Sequence, residues 1–240
     1  MQRRKPLIEY RMMDENCLLT SCLHGGLISL SASQEDAWAE REYGLPEGAI
    51  ARFLRALCRE YGSCGVMAVD GDSIVAKIRF CPRFFSDTLS PELFCVQTEE
   101  EARLIASFDV ETLTPKDALP SKALCVLCFQ VVSSYRGRGI ATRMLETLIE
   151  WAKANGWEEI RSKAIEHIRP LLDLTGMWSV ERYRKLGFQV TGHTPREELM
   201  QVVVAMRDGC HGEEVRLQWE KYRHLSDDEA SRLYDVVLRI

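Results

Sequence analysis

Apolar positions along the chain follow two different spacings. From Ala123 to Val132 the residues are rich in β-formers and carry no charge (Ala-Leu-Cys-Val-Leu-Cys-Phe-Gln-Val-Val), which predicts a buried strand. Beyond it, Met144, Leu145, Leu148, Ile149 and Ala152 recur at helical spacing with Trp151 beside them, and Asn155-Gly156 supplies a C-terminal stop. Between the two lies Arg136-Gly137-Arg138-Gly139-Ile140-Ala141. A glycine turn that leads from a strand end into a helix start aims several backbone N–H groups at one spot. That is an anion-binding geometry, and here it points to a phosphate-bearing cofactor.

The rest of the chain divides by the same two spacings. Residues 7–13 predict a strand, followed by an ambiguous stretch through Leu30. Ser33, with Glu35 and Asp36 in the first turn, opens a helix, and Pro46 opens another whose Ile50, Phe53, Leu54 and Leu57 share one face. Gly65–Asp70 and residues 73–80 predict two strands joined as a hairpin at Gly71-Asp72. Residues 82–121 break the pattern with Pro91, Pro115, Pro120 and the run Glu99-Glu100-Glu101, so they read as an insertion or lid-like loop holding a short helix. A strand near Glu159–Ala164, a loop through Pro170 and a helix over residues 178–186, ended by Gly187, come next. Residues 188–190 begin a further strand, and residues 199–206, apolar on both faces, predict one more. Ser226, followed by Asp227, Asp228 and Glu229, starts a last helix. The order of elements predicts an α/β (α+β) fold with a mixed, mainly antiparallel sheet flanked by helices.

Composition narrows the classes of partner. A chain of 240 residues can bury a sizeable core, and 46% hydrophobic with 28% charged residues is the balance of a soluble globular enzyme. The net charge is −5 and no basic stripe stands out, which argues against nucleic acid as a partner. The basic opening Met1-Gln2-Arg3-Arg4-Lys5-Pro6 is not followed by the apolar stretch of a signal peptide, and no apolar run has membrane-spanning length. A cytoplasmic location with no membrane partner is therefore expected.

The nine cysteines predict packing rather than metal or redox chemistry. Most are scattered singly, and Cys125 and Cys128 form a C-x-x-C inside a strand, where residues three apart face opposite ways. Cys17, Cys22 and His24 could supply three ligands, but no fourth follows at a zinc-like distance, so no metal is expected. Phe84, Phe85 and Trp178 are likewise read as packing before they are read as walls of a pocket.

The order of elements, with two motifs, resembles the GCN5-related N-acetyltransferase (GNAT) superfamily over roughly residues 65–206, omitting the insertion. The family's Arg/Gln-x-x-Gly-x-Gly/Ala is met by Arg136, Gly139 and Ala141, and its Tyr-x-x-x-Gly-Phe by Tyr183, Gly187 and Phe188. The resemblance implies an acyl-CoA N-acyltransferase fold with a core at residues 63–207. Residues 1–62 would lead into it through a strand and helices. Residues 208–240, whose stretch after Gly209 has no counterpart in the family, are expected to be a C-terminal extension that completes the sheet, covers the acceptor site or mediates a homodimer. It further implies acetyl-CoA as co-substrate, paired through its pantetheine amide with Phe129, Gln130 and Val131. The backbone amides of Arg136, Gly137, Arg138, Gly139, Ile140, Ala141 and Thr142 would cradle its pyrophosphate. Tyr183 would sit near the sulfur as general acid. Two departures stand out: Gly176 where the family often has asparagine, and Ser133 where it often has proline.

Chemistry agrees with the resemblance. A pyrophosphate needs close-approaching donors, and Arg136, Arg138 and Arg143 add positive charge suited to a polyanion. Acyl transfer from a thioester to an amine requires an amine that loses a proton, donors for the oxyanion and an acid for the thiolate. A phenol of pKa about 10 can serve a thiolate of comparable basicity. Glu166 and His167, just after a strand, are the candidate general bases, with a solvated loop or proton loss through ordered water as alternatives. The expected activity is transfer of acetyl from acetyl-CoA to a primary amine of a small molecule or protein, by direct attack on the thioester. The alternative is a non-catalytic, acyl-CoA-binding sensor or interaction module. A Rossmann-type dinucleotide site is disfavoured, because its third glycine or alanine would fall at Thr142 and no acidic residue caps the next strand.

Overall fold

A computed structural model describes residues 8–23, 26–32, 40, 42–85, 103, 105–175 and 177–240. The chain forms two compact units, Met1–Glu158 with Ile240, and Glu159–Arg239.

In the first unit, strands β1 (Glu9–Met12), β3 (Gly65–Asp70), β4 (Ser73–Pro82) and β5 (Ala123–Val131) lie side by side in that order, each antiparallel to the next. A short β2 (Ile28–Ser29) pairs with β4. The hairpin at Gly71-Asp72 forms where expected, with Gly71 at φ 60°. Helix α1 (Ala49–Tyr61) starts after Gly48, and the side chain of Glu40 caps it: its two carboxylate oxygens accept from Gly48 N at 2.9 Å and Ile50 N at 2.7 Å. These bonds satisfy donors that a helix start otherwise leaves orphaned. Helix α2 (Ile140–Ala154) buries Met144, Leu145, Leu148 and Ala152 of the stripe its spacing predicts, together with Ile140, leaves Ile149 half-buried, and ends at Asn155. The tight approach of β3 to β4 leaves no room at Gly65, where a Cβ would stand 2.5 Å from the Ile78 carbonyl oxygen and 2.7 Å from Met13 Sδ.

The register of β5 on β4 shifts between Arg79 and Phe80, which face Cys128 and Val126, so Leu127 is an inserted bulge residue. This corrects the expectation for the C-x-x-C. Cys125 and Cys128 lie opposite Cys81 and Arg79, two residues apart on β4, so the bulge undoes the alternation that would have sent the thiols to opposite faces. All described cysteines are free thiols. His24, the helix opened by Ser33 and residues 86–102 and 104 of the insertion at 82–121 lie outside the described residues. Within that insertion, Val110–Thr112 and Lys116–Ala118 are short 3₁₀ turns.

The second unit has β6 (Glu159–Ala164), β7 (Gln189–Pro195) and β8 (Arg232–Arg239), with β8 antiparallel to both others and between them. Helices α3 (Arg169–Thr175) and α4 (Val180–Lys185) follow β6, and α5 (Glu197–Arg207), α6 (Glu213–Trp219) and α7 (Asp227–Ala230) separate β7 from β8. Three sequence expectations are corrected here. The loop through Pro170 is partly helical. Residues 199–206 form the helix α5 and not a strand: Leu199, Val202, Val203 and Met206 follow a three-and-four spacing and pack into one cluster with Ile165, Ile168, Leu171, Leu172, Trp219 and Ala230. The helix begun by Ser226 forms, with a full capping box to Glu229, but ends within four residues. The β-branched Val236 and Val237 that follow belong to β8. The C-terminal segment therefore completes this unit's sheet.

Candidate functional site

The turn after β5 is built as a strand-to-helix cradle. Gly137 and Gly139 take φ values of 75° and 76°, a left-handed conformation that glycine adopts without strain. Gly139 is the N-cap of α2, and no side chain caps the helix and no acidic residue occupies its first turn. The N–H groups at this helix start thus keep their donor capacity, and the positive end of the helix dipole stays uncompensated. The turn from Arg136 to Gly139 is exposed while Ile140 is buried, so the cradle is anchored from beneath and open above.

The arginines divide into two kinds. Arg136 Nε reaches back to the Val131 carbonyl at 3.3 Å, and Arg138 donates to the Ser134 carbonyl at 2.9 Å while lying 4.7 Å from the Tyr135 ring centre. Tyr135 is itself tied to Asp70 at 2.7 Å. Arg143 turns instead toward Glu146 at 3.1 Å and Glu150 at 3.7 Å, so its charge is largely answered within the helix. The positive charge at the cradle comes from Arg136 and Arg138. Phe129, Gln130 and Val131 occupy the last turn-ward positions of β5, paired with Ile78, Lys77 and Ala76. Gln130 also accepts from Leu23 N at 2.9 Å, which ties the N-terminal segment to this strand.

In the second unit, Tyr183 lies on α4 and is 2% exposed. Its hydroxyl shares a 2.7 Å hydrogen bond with Ser162 on β6, and its ring packs edge-on against Trp178 and Phe188. The Tyr-x-x-x-Gly-Phe motif has a plain folding logic. Gly187, at φ 87°, sends the chain back so that Phe188 N donates to Tyr183 O at 3.2 Å and Gly187 N to Arg184 O at 3.0 Å, a Schellman end whose apolar contact is the Tyr183–Phe188 pair.

Glu166 and His167 sit in the short link between β6 and α3, and they have different partners. Glu166 is half-buried and its Oε1 accepts from the Tyr234 hydroxyl at 2.6 Å. Burial and the adjacent Glu166 carboxylate push Tyr234 up to about 12, so it is a phenol throughout the neutral range. His167 is exposed, with Nδ1 3.0 Å from Ser179 Oγ and 3.4 Å from Glu181 Oε2. Lys185 and His167 hold the Glu181 carboxyl below its ordinary range. Sequence reasoning missed Ser162 and Tyr234. The β-forming run Val236-Val237-Leu238 was the available signal for Tyr234, but the strong helix start at Ser226 masked it. Among the described residues no cluster of three or more His, Cys, Asp or Glu could hold a metal, and no helix is long and apolar enough to cross a membrane.

The family model described as "Acetyltransferase (GNAT) family" matches residues 30–188, about two thirds of the chain. The protein is an acyltransferase by class, and it belongs to the GNAT acetyltransferase family. No curated protein sequence matches it. Among solved structures, a GNAT-family acetyltransferase from Streptococcus pneumoniae is similar in fold, at 12% identity over 98% of this chain and 100% of that one, with a TM-score of 0.51. An IAA acetyltransferase from Bacillus cereus matches at 9% identity over 98% and 100% of the two chains, with a TM-score of 0.44. A mosquito arylalkylamine N-acetyltransferase-like protein matches at 15% identity over 79% and 80%, with a TM-score of 0.43.

Proposed function

We propose that the protein transfers an acetyl group from acetyl-CoA to the nitrogen of a primary amine, carried by a small molecule or a protein. The observation that carries this is the uncapped helix start at Gly139, framed by two left-handed glycines and two arginines, in a chain of the GNAT family. A diphosphate suits that cradle because it accepts several backbone donors at once and benefits from the helix dipole. Phe129, Gln130 and Val131 are assigned to the pantetheine arm, and residues 136–142 to the pyrophosphate. The catalytic core is assigned to residues 63–207, with residues 1–62 leading into it and residues 208–240 as an extension.

Tyr183 is assigned the role of proton donor to the departing thiolate, with Ser162 orienting its hydroxyl. Phenylalanine at position 183 keeps the ring stack and removes only the acid. Tyr183→Phe is expected to lower kcat by about 100-fold, in the range for loss of a general acid, with acetyl-CoA affinity unchanged. An unchanged kcat would reduce Tyr183 to a packing residue.

Release of free thiol from acetyl-CoA, measured with putrescine, butylamine, phenethylamine and a lysine peptide, tests the activity. Amine-dependent release by the wild type, and its loss in Gly139→Glu, is the expected result. Tight acetyl-CoA binding without turnover of any of these amines would favour the non-catalytic binding module instead.

A further inference from the structure

The link that carries Glu166 is held far more firmly than a surface loop needs. On one side of it Ile165 is fully buried, with a bridge to Ser179, and on the other Ile168 is fully buried in the cluster formed with α5 and α6. Arg169 N donates to the hydroxyl of Tyr222 at 3.1 Å. The segment between β7 and β8 therefore clamps both flanks of the link. From the C-terminal strand, Tyr234 then fixes the side chain of Glu166 itself. Tyr234 pairs with Ala164 of β6 on one edge of β8 and with His193 of β7 on the other, and the His193 ring lies edge-on at 5.8 Å. Its hydroxyl reaches one carboxylate oxygen, Oε1, and among the described residues Oε2 keeps its acceptor capacity.

We propose that Tyr234 is a positioning residue that fixes Glu166 as the general base of the transfer, with Oε2 as the proton acceptor. This rests on the acetyltransferase reading above and selects Glu166 over His167. His167 instead is exposed and engaged with Ser179 and Glu181, whose carboxylate also pairs with Lys185 at 2.7 Å. Of the neighbouring charges on β8, Asp235 pairs with Lys163 at 2.5 Å, while Arg232 pairs with Asp228 at 2.8 Å and also meets the Tyr234 hydroxyl, whose proton remains directed to Glu166.

The substrate arrives as an ammonium, and one of its protons passes to Oε2, leaving a neutral amine. The nitrogen lone pair forms the C–N bond to the thioester carbonyl, and the C–S bond breaks with its electron pair on sulfur. Tyr183 gives its proton to the thiolate, the second proton lost from nitrogen restores the Tyr183 phenol, and Glu166 returns its proton to water. Tyr234 stays a phenol throughout, since burial and the adjacent carboxylate keep its proton in place. A donor fixed on one carboxylate oxygen removes rotational freedom from the side chain, which is what a base aimed at one N–H requires.

The test is a double-mutant cycle in the full chain, using whichever of the four named amines turns over fastest. Glu166→Gln is expected to lower kcat about 100-fold, in the range for a lost general base, and Tyr234→Phe about tenfold. Both variants should keep the wild-type KM for acetyl-CoA and one binding site per chain by calorimetry. In the Glu166→Gln background, Tyr234→Phe should cost less than a further twofold, because its effect runs through that carboxylate. Losses that multiply would overturn the positioning role and leave Tyr234 a structural residue. Glu166→Gln with wild-type kcat would overturn the choice of base, and His167→Asn showing the large loss would move it to His167. If the wild type binds acetyl-CoA yet turns over none of the amines, the acetyltransferase reading itself fails and this inference with it.

Discussion

Gly139→Glu is expected to weaken acetyl-CoA binding by more than about 100-fold while leaving the protein folded. A Cβ at this position meets no atom within 4 Å, so the substitution creates no clash inside the protein. Its cost has two sources. The backbone at φ 76° is strained for any residue with a Cβ, by roughly 1–2 kcal/mol, and the exposed turn relieves this in the free protein by leaving the geometry that binding must restore. The carboxylate also sits at a helix start that no side chain caps, and it opposes a diphosphate there by about 1–3 kcal/mol at the effective dielectric of a protein surface. Together these amount to about 3 kcal/mol, which is a hundredfold in Kd. Gly139→Ala carries the strain without the charge and should lose only about tenfold. Calorimetric titration of the three proteins separates the terms, and equal affinity in all of them would remove the cradle from the binding site.

The second large effect is on stability. Gly65→Ala is expected to cost about 3 kcal/mol or more, since overpacking of this kind is not relieved by a rotamer change. The added methyl would meet the Ile78 carbonyl at 2.5 Å, a backbone atom of the neighbouring strand, and Met13 Sδ at 2.7 Å. Moving it away would disturb three hydrogen bonds. Met13 N donates to Gly65 O at 2.8 Å, and Ser63 Oγ bonds both the Met13 and Gly65 carbonyls. Domains of this kind hold only about 5–15 kcal/mol in reserve, so the loss should be visible as a lower urea midpoint with an unchanged slope. Gly71→Ala is the matched control. Its Cβ meets open space, and only its φ of 60° costs anything, about 1 kcal/mol. Equal midpoints for the two variants would contradict the packing described at β3.

The two effects differ in how far they could be read from the chain. The strand–turn–helix unit around Gly139 was legible because every signal in it is local: a chargeless β-rich run, a glycine turn, an apolar stripe at helical spacing and an Asn-Gly stop. The hairpin at Gly71 and the cap at Ser226 were legible for the same reason. The crowding at Gly65 was not, because Met13 and Ile78 reach it through strand pairing across the sheet. The site divides in the same way. Tyr183 and Glu166 stand out by type and position, whereas their partners Ser162 and Tyr234 lie 21 and 68 residues away and are joined to them only by folding. The misread helix at residues 199–206 shows the converse. Its β-branched valines suggested a strand, but the spacing of Leu199, Val202, Val203 and Met206 outweighs intrinsic preference once that stripe has a core to enter.

The cradle at Gly139 and the roles proposed for Tyr183 and Glu166 belong together only if acetyl reaches nitrogen. The direct measurement is mass spectrometry of the four amines after incubation of the full chain with acetyl-CoA carrying ¹³C in its acetyl group. The account predicts the label in an amide of at least one amine, formed by the wild type and lost with Gly139→Glu. Label recovered only as free acetate, or remaining on the thioester with every amine, would contradict it.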